Sequence, residues 1–159
     1  MQGLTARQIA AIAHRGLVDE YTDRYIIHVC CAESGAAVLA PTDATVNRGE
    51  LVSVDVGTIH RDYIGDMFRV YALGEPPGDA VRIHEALDRV NEKMIAAVKP
   101  GAVAADLYEL GAGEMRERGC DLVFDFVGHG IGLDVHEPPN LVPDDTTVLR
   151  ENMVIVLEV

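Results

Sequence analysis

The chain has 159 residues, enough for one domain at the roughly 100–200 residues that domains take. Thirteen Lys and Arg stand against 26 Asp and Glu, a net charge of −13, which excludes a nucleic-acid binder or a ligand of anionic membranes, because phosphate recognition needs a basic face. A 48% hydrophobic, 25% charged composition is that of a folded protein; no apolar run reaches the ~18 residues of a spanning helix, and the N-terminus lacks an export signal core. The 3 cysteines, two of them adjacent (Cys30, Cys31), make no disulfide framework, so a cytoplasmic setting is expected, with the pair packed in a strand.

In chain order, Thr5 and Gln8 read as a capping box that opens a helix through Ile9, Ile12, Ala13 and Leu17. Tyr25–Cys31 is β-branched and aromatic and reads as a strand, and Glu33–Arg48 as loop. Leu51–Gly57 and Ile64–Leu73 are two further strands. Ala80–Val98 is the longest amphipathic helix, with Ile83, Leu87, Val90, Met94 and Val98 on one face, and Lys99-Pro100-Gly101 ends it. Val103–Arg118 is another helix, closed by Gly119; short strands and Gly/Pro-rich turns follow, finishing in the apolar run Met153–Val159. Gly3–Ile9 resembles Gly101–Leu107, 98 positions on (3 to 101), which suggests two similar halves. Without a linker or low-complexity segment, the expectation is a single domain over residues 1–159.

Two strands carry acids that their composition does not explain. In Leu51–Gly57, Val52, Val54 and Val56 point one way and Ser53, Asp55 and Gly57 the other. Asp is depleted in strands, so Asp55 needs a cause. A hairpin symmetric about His60 and Arg61 would set Asp55 directly opposite Asp66, and like charges so placed destabilise. A divalent cation between them, an inward Arg69, or one protonated Asp would relieve this. Alternatively the register differs and both are solvated acids near the turn.

The segment Phe126–Pro139 is the most informative. Gly128, Gly130 and Gly132 oppose a helix and let the backbone approach a neighbour closely. His129 then suits a neutral imidazole ligand, and His136 an acid or hydrogen-bond donor; the bland reading is a glycine-rich turn with two exposed histidines. Glu158 repeats the oddity of Asp55, one acid in an apolar strand. Two Asp, one His and one Glu make a hard donor set that favours Mn, Fe, Co or Zn. His14, His28, His60 and His84 read as surface residues.

These residues resemble the pita-bread metallopeptidase family: methionine aminopeptidases, Xaa-Pro aminopeptidases, prolidases and creatinase-like relatives. The resemblance rests on Val54-Asp55-Val56-Gly57, Gly65-Asp66-Met67-Phe68-Arg69, Gly128-His129-Gly130-Ile131-Gly132, His136-Glu137-Pro138 and Met153–Glu158, in that order. Gly132–Pro138 looks more like the Xaa-Pro and creatinase branch. It implies an α+β pita-bread fold with pseudo-twofold symmetry, in which a curved, mostly antiparallel sheet is covered by helices. It implies a dinuclear hydrolase: Asp55, Asp66, His129 and Glu158 as metal ligands, Asp66 bridging, two divalent ions per complete site, and His136 contacting substrate. The two ions would generate a hydroxide that attacks a peptide carbonyl. A peptide or small-molecule substrate and a homodimer follow by the same analogy. The family pattern continues into a strand with a second bridging Glu and begins with further N-terminal elements, so an incomplete catalytic domain lacking the final strand, with impaired hydrolysis, is expected. Val38 stands where peptidases usually carry a His, and Phe68 and Val70 where threonines are common. A creatinase-like or lyase-like enzyme on a small non-peptide substrate, or a non-catalytic binding protein, are the alternatives.

Overall fold

The computed structural model describes residues 2–20, 22–31 and 40–159. They form two compact units, Met1–Gly78 and Asp79–Val159.

In the first unit, helix α1 (Ala6–Asp19) starts at the expected capping box: Thr5 Oγ1 accepts the Gln8 amide at 3.1 Å, and Gln8 Oε1 accepts the Thr5 amide at 2.9 Å. Strands β1 (Arg24–Cys31), β2 (Leu51–His60) and β3 (Tyr63–Ala72) make an antiparallel sheet in the order β1-β2-β3. Side-chain alternation divides it as the valines predict. One face gives Ile27, Val29, Cys31, Val52 and Val54 to a core with Ala6 and Ile9 of α1. The other carries His28, Cys30, Ser53, Asp55, Gly57, Asp66 and Phe68.

The register of β2 and β3 differs from the expected one. His60 pairs with Tyr63, so the turn residues are Arg61 and Asp62, with φ of 51° and 71°. Positive φ at both central positions is the type I′ geometry that matches strand twist, and Asp23 Oδ2 accepts the Arg61 amide at 2.6 Å. Asp55 therefore pairs with Phe68, and Asp66 with Gly57. The two acids share a face but sit on a diagonal, where Cα atoms lie about 7–8 Å apart rather than face to face. Arg69 pairs with Val54 on the opposite face, and its Nη1 donates to the Phe68 carbonyl at 2.7 Å, so it does not turn toward the acids.

In the second unit, α2 (Gly78–Ala97) and α3 (Ala104–Glu117) pack Val90, Met94, Leu107 and Met115 against Val127, Leu141 and Leu149. The apolar face of α2 enters this core from Leu87 onward; Ile83, expected on the same face, stays 36% exposed. Lys93 Nζ of α2 and Arg118 Nη1 both donate to the Glu114 carboxylate at 2.5 Å, and these bonds, first Lys93 and then Arg118, hold that carboxyl below its ordinary range. Strands β4 (Gly128–Gly130), β5 (Glu137–Asn140) and β6 (Ile155–Leu157) form a second antiparallel sheet, ordered β5-β4-β6.

The suspected repeat is present in the hydrogen bonds. Gly3 and Gly101 have φ of 77° and 93°; their amides donate to Val46 and Leu149. Thr5 bridges Thr45, and Val103 bridges Val148. The first amides of the helices follow suit: Ala6 to Ala44 and Arg7 to Thr42, against Ala104 to Thr147 and Ala105 to Asp145. Thr42 Oγ1 accepts the Ala44 amide as Asp145 Oδ1 accepts that of Thr147. Gly49 and Asn152 close the matching turns at φ of 84° and 69°. Asp55 and Glu158, each 6 residues after that turn, therefore occupy equivalent positions.

Candidate metal centre

His129 lies on β4, between β5 and β6, and is 2% exposed. The glycines around it are there for the neighbouring backbone. A Cβ at Gly128 would lie 2.2 Å from the Val156 carbonyl oxygen; one at Gly130 would lie 2.7 Å from those of Glu137 and Pro138. No side chain fits either position without moving a strand. The expected close approach is thus between strands, and its effect is to bury the imidazole.

The hydrogen bonds of His129 define its chemistry. Nδ1 lies 2.9 Å from the Gly130 carbonyl oxygen. A carbonyl only accepts, so Nδ1 is the protonated nitrogen, and in the neutral ring Nε2 carries the lone pair. Nε2 lies 3.0 Å from Glu158 Oε1. A lone pair and a carboxylate oxygen at that separation call for positive charge between them, a proton or a cation. Two donors bound to one ion at about 2.1 Å and a right angle lie about 3.0 Å apart, so the separation is that of adjacent metal ligands. Glu158 is held in place by its amide, which donates to the Val127 carbonyl at 3.0 Å.

His136 joins this pair. Ligand atoms of His129, His136 and Glu158 all lie within 4.8 Å of one another, and the two imidazole centroids are 4.1 Å apart. The loop that delivers His136 is clamped by Glu137, whose Oε1 accepts the amides of Leu133 at 2.6 Å and Asp134 at 2.8 Å. The Glu137 carboxylate also explains Gly132, where a Cβ would lie 2.8 Å from Oε2. Phe126 meets both histidines edge-on, and these three line a cavity of about 130 Å³ with Asn140 and Val142. Asp145 fixes the far wall: its carboxylate accepts the amides of Asn140 and Thr147 at 2.8 Å each. Hydrogen bonding from Thr147, more than offsetting burial, holds the Asp145 carboxyl below its ordinary range.

His129, His136 and Glu158 are the sequence-predicted residues that the second unit brings together. The adjacent imidazole and carboxylate of His129 and Glu158 fit a divalent transition-metal ion, with the second imidazole, His136, beside them. Asp55 and Asp66 share the polar face of the first unit's sheet. That face also holds a residue the sequence reading missed. His28 pairs with Asp55 across β1 and β2, and its Nδ1 lies 3.1 Å from Asp55 Oδ2. Alternation in β1 marks the face His28 is on, but only the cross-strand register reveals its partner. Val38 lies outside the described residues.

Comparison with known proteins bears on the fold and the family. The Xaa-Pro dipeptidase of Pyrococcus horikoshii is 36% identical over 118 residues, 74% of this chain and 34% of the relative. Among solved structures, the dipeptidase PepE of Mycobacterium ulcerans superposes with a TM-score of 0.92 at 29% identity, over 98% of this chain and 43% of that one. The methionine aminopeptidase of Rickettsia prowazekii, at 21% identity, shares the fold with a TM-score of 0.85 over 98% of this chain and 68% of its own. The chain thus spans about a third of the curated relative and under half of the dipeptidase. The fold is the α+β pita-bread fold. The signature of metallopeptidase family M24 matches residues 1–159, and the chain belongs to that family.

Proposed function

We propose that residues 1–159 act as one catalytic domain of a metal-dependent peptidase of the Xaa-Pro dipeptidase type, with Asp55, Asp66, His129 and Glu158 as metal ligands and His136 as the residue that contacts substrate. The observation that carries this reading is the buried His129 ring, its Nδ1 committed to the Gly130 carbonyl and its Nε2 set 3.0 Å from Glu158 Oε1. A solvated histidine has no need of that arrangement. When bound, divalent cations lower the pKa of water and polarise a scissile carbonyl. Manganese, cobalt, zinc and iron all suit these donors, and manganese is the metal we assign.

The chain's own residues supply the rest. The Gly130 carbonyl fixes the His129 tautomer, and such outer hydrogen bonds make an imidazole a stronger donor. His136, exposed beside His129, would donate a hydrogen bond to the substrate carbonyl as negative charge grows on its oxygen. Phe126 and Val142 give the cavity an apolar wall suited to a small ring or aliphatic side chain, and Asn140 adds a polar edge. A cytoplasmic, homodimeric protein completes the reading. The net charge of −13 supports solubility, and no described helix is long and apolar enough to cross a membrane.

Calorimetric titration of the metal-free protein with Mn²⁺, followed by hydrolysis of Xaa-Pro dipeptides, tests this. Wild type should bind, His129→Ala should lose at least tenfold in affinity, and His136→Ala should bind metal but lose turnover. Wild-type protein that binds no Mn²⁺ at millimolar concentration would overturn the reading.

A further inference from the structure

The first unit sets a histidine that the metal reading does not use, His28, against one of its proposed ligands, Asp55. His28 of β1 and Asp55 of β2 are Cα partners, their side chains 32% and 18% exposed, with Nδ1 3.1 Å from Oδ2. The neighbours on the same face are restrictive. Cys30 and Ser53, the next pair along, are 4% and 2% exposed. On the other side Ile26 pairs with Gly57, which adds no side chain of its own to this face. The imidazole therefore approaches Asp55 from a defined direction within a regular two-stranded ladder, unlike a surface residue that finds an acid by chance.

The internal repeat sharpens the comparison. Asp55 and Glu158 hold equivalent positions, and each has an imidazole nitrogen at 3.0–3.1 Å from one carboxylate oxygen. The nitrogens differ. His129 presents Nε2, its Nδ1 being committed to a carbonyl, which makes it a donor to a cation. His28 presents Nδ1. An ionised carboxylate only accepts, so a direct bond at this length has the imidazole donating.

We propose that His28 is a positioning residue for Asp55: its Nδ1–H engages Oδ2, fixes the rotation of the carboxylate, and leaves Oδ1 to a divalent cation. This rests on the reading of Asp55 as a metal ligand. Hydrogen-bonded outer partners of this kind change metal affinity by about 10–100-fold when removed. The cause is preorganisation: without the bond, Asp55 must give up rotational freedom when the ion arrives.

The test is Mn²⁺ affinity by calorimetry on the 159-residue chain and four variants. His28→Phe keeps an aromatic ring and removes the donor; it should weaken binding about 10–100-fold. His28→Asn puts an amide N–H near the position of Nδ1 and should stay within about threefold of wild type, a rescue that loss of packing alone would not show. Asp55→Asn should weaken binding strongly, and adding His28→Phe to it should cost nothing further, because the histidine acts through the acid. If His28→Phe binds as wild type while Asp55→Asn does not, the positioning role is wrong and the metal reading stands. Equal losses in His28→Phe and His28→Asn also overturn it. If Asp55→Asn itself leaves the affinity unchanged, Asp55 is not a ligand and the underlying reading fails first. A check that needs no variant is the ¹⁵N spectrum of the His28 ring in metal-free protein at pH 8.5. It should show the proton on Nδ1, and a ring protonated on Nε2 alone overturns the proposal.

Discussion

Gly130, next to His129, leaves no room for a side chain. Its Cβ would meet two carbonyl oxygens at 2.7 Å, both belonging to β5. Gly130→Ala should destabilise the protein by about 2–3 kcal/mol, because backbone must shift rather than a flexible side-chain end; urea unfolding checks this. Asp145 gives a prediction with a sign. Its folded pKa lies below the unfolded value, so its contribution is complete above the unfolded pKa of about 3.9 and is lost as pH falls through the lower, folded one. Asp145→Asn should cost about 1 kcal/mol at pH 7, and the gap to wild type should close in acid, as unfolding midpoints from pH 7 to 3 will show. Burial, together with Cys30 and Glu50 nearby, raises the Cys31 thiol, which keeps it protonated at neutral pH. Asp55 and Glu158 are legible as odd residues in apolar strands, and His129 from the glycines around it. His28 is not, because its meaning lies in a pairing set by the intervening loop. Glu137 is equally opaque: a carboxylate that serves two amides of its own loop leaves no periodic trace.

The elements show where periodicity is enough and where it is not. The capping box of α1 reads directly from Thr5 and Gln8, since both partners lie within one turn. The faces of β2 read directly from its valines. The hairpin that follows does not, because a type I′ turn favours Asn, Asp or Gly, and Arg61 at φ 51° is a poor signal for one. Moving that turn one position later, from His60-Arg61 to Arg61-Asp62, changes the mutual relation of Asp55 and Asp66 from opposed to diagonal. The shift lowers their repulsion and keeps them on one face. The tie between α2 and α3 is likewise a tertiary fact. Lys93 and Arg118 converge on Glu114, so Glu114→Gln should lower Tm slightly, and the loss should shrink in 1 M salt.

At the scale of the whole molecule, 26 acids on 159 residues need explaining mainly where they gather. A cation that binds only the folded chain stabilises it by mass action, about 2.7 kcal/mol at 100 times Kd. For a chain of this size that is a rise in Tm of about 5–10 °C, reversed by EDTA and absent in His129→Ala. Thermal scans with and without Mn²⁺ check it.

The matched turns at Gly49 and Asn152 make each half a guide to allowed replacements in the other. Both backbones turn left-handed there, at 84° and 69°, but only one has the residue that does so without strain. Asn152→Gly should therefore be tolerated or stabilising by a few tenths of a kcal/mol, whereas Asn152→Val should cost about 1–2 kcal/mol. Aligning the chain with itself thus yields a substitution map, and the acids at 55 and 158 are the place where that map ought to stop working: there the two copies have diverged to hold different carboxylates, and an exchange of Asp for Glu should fold well and bind metal poorly.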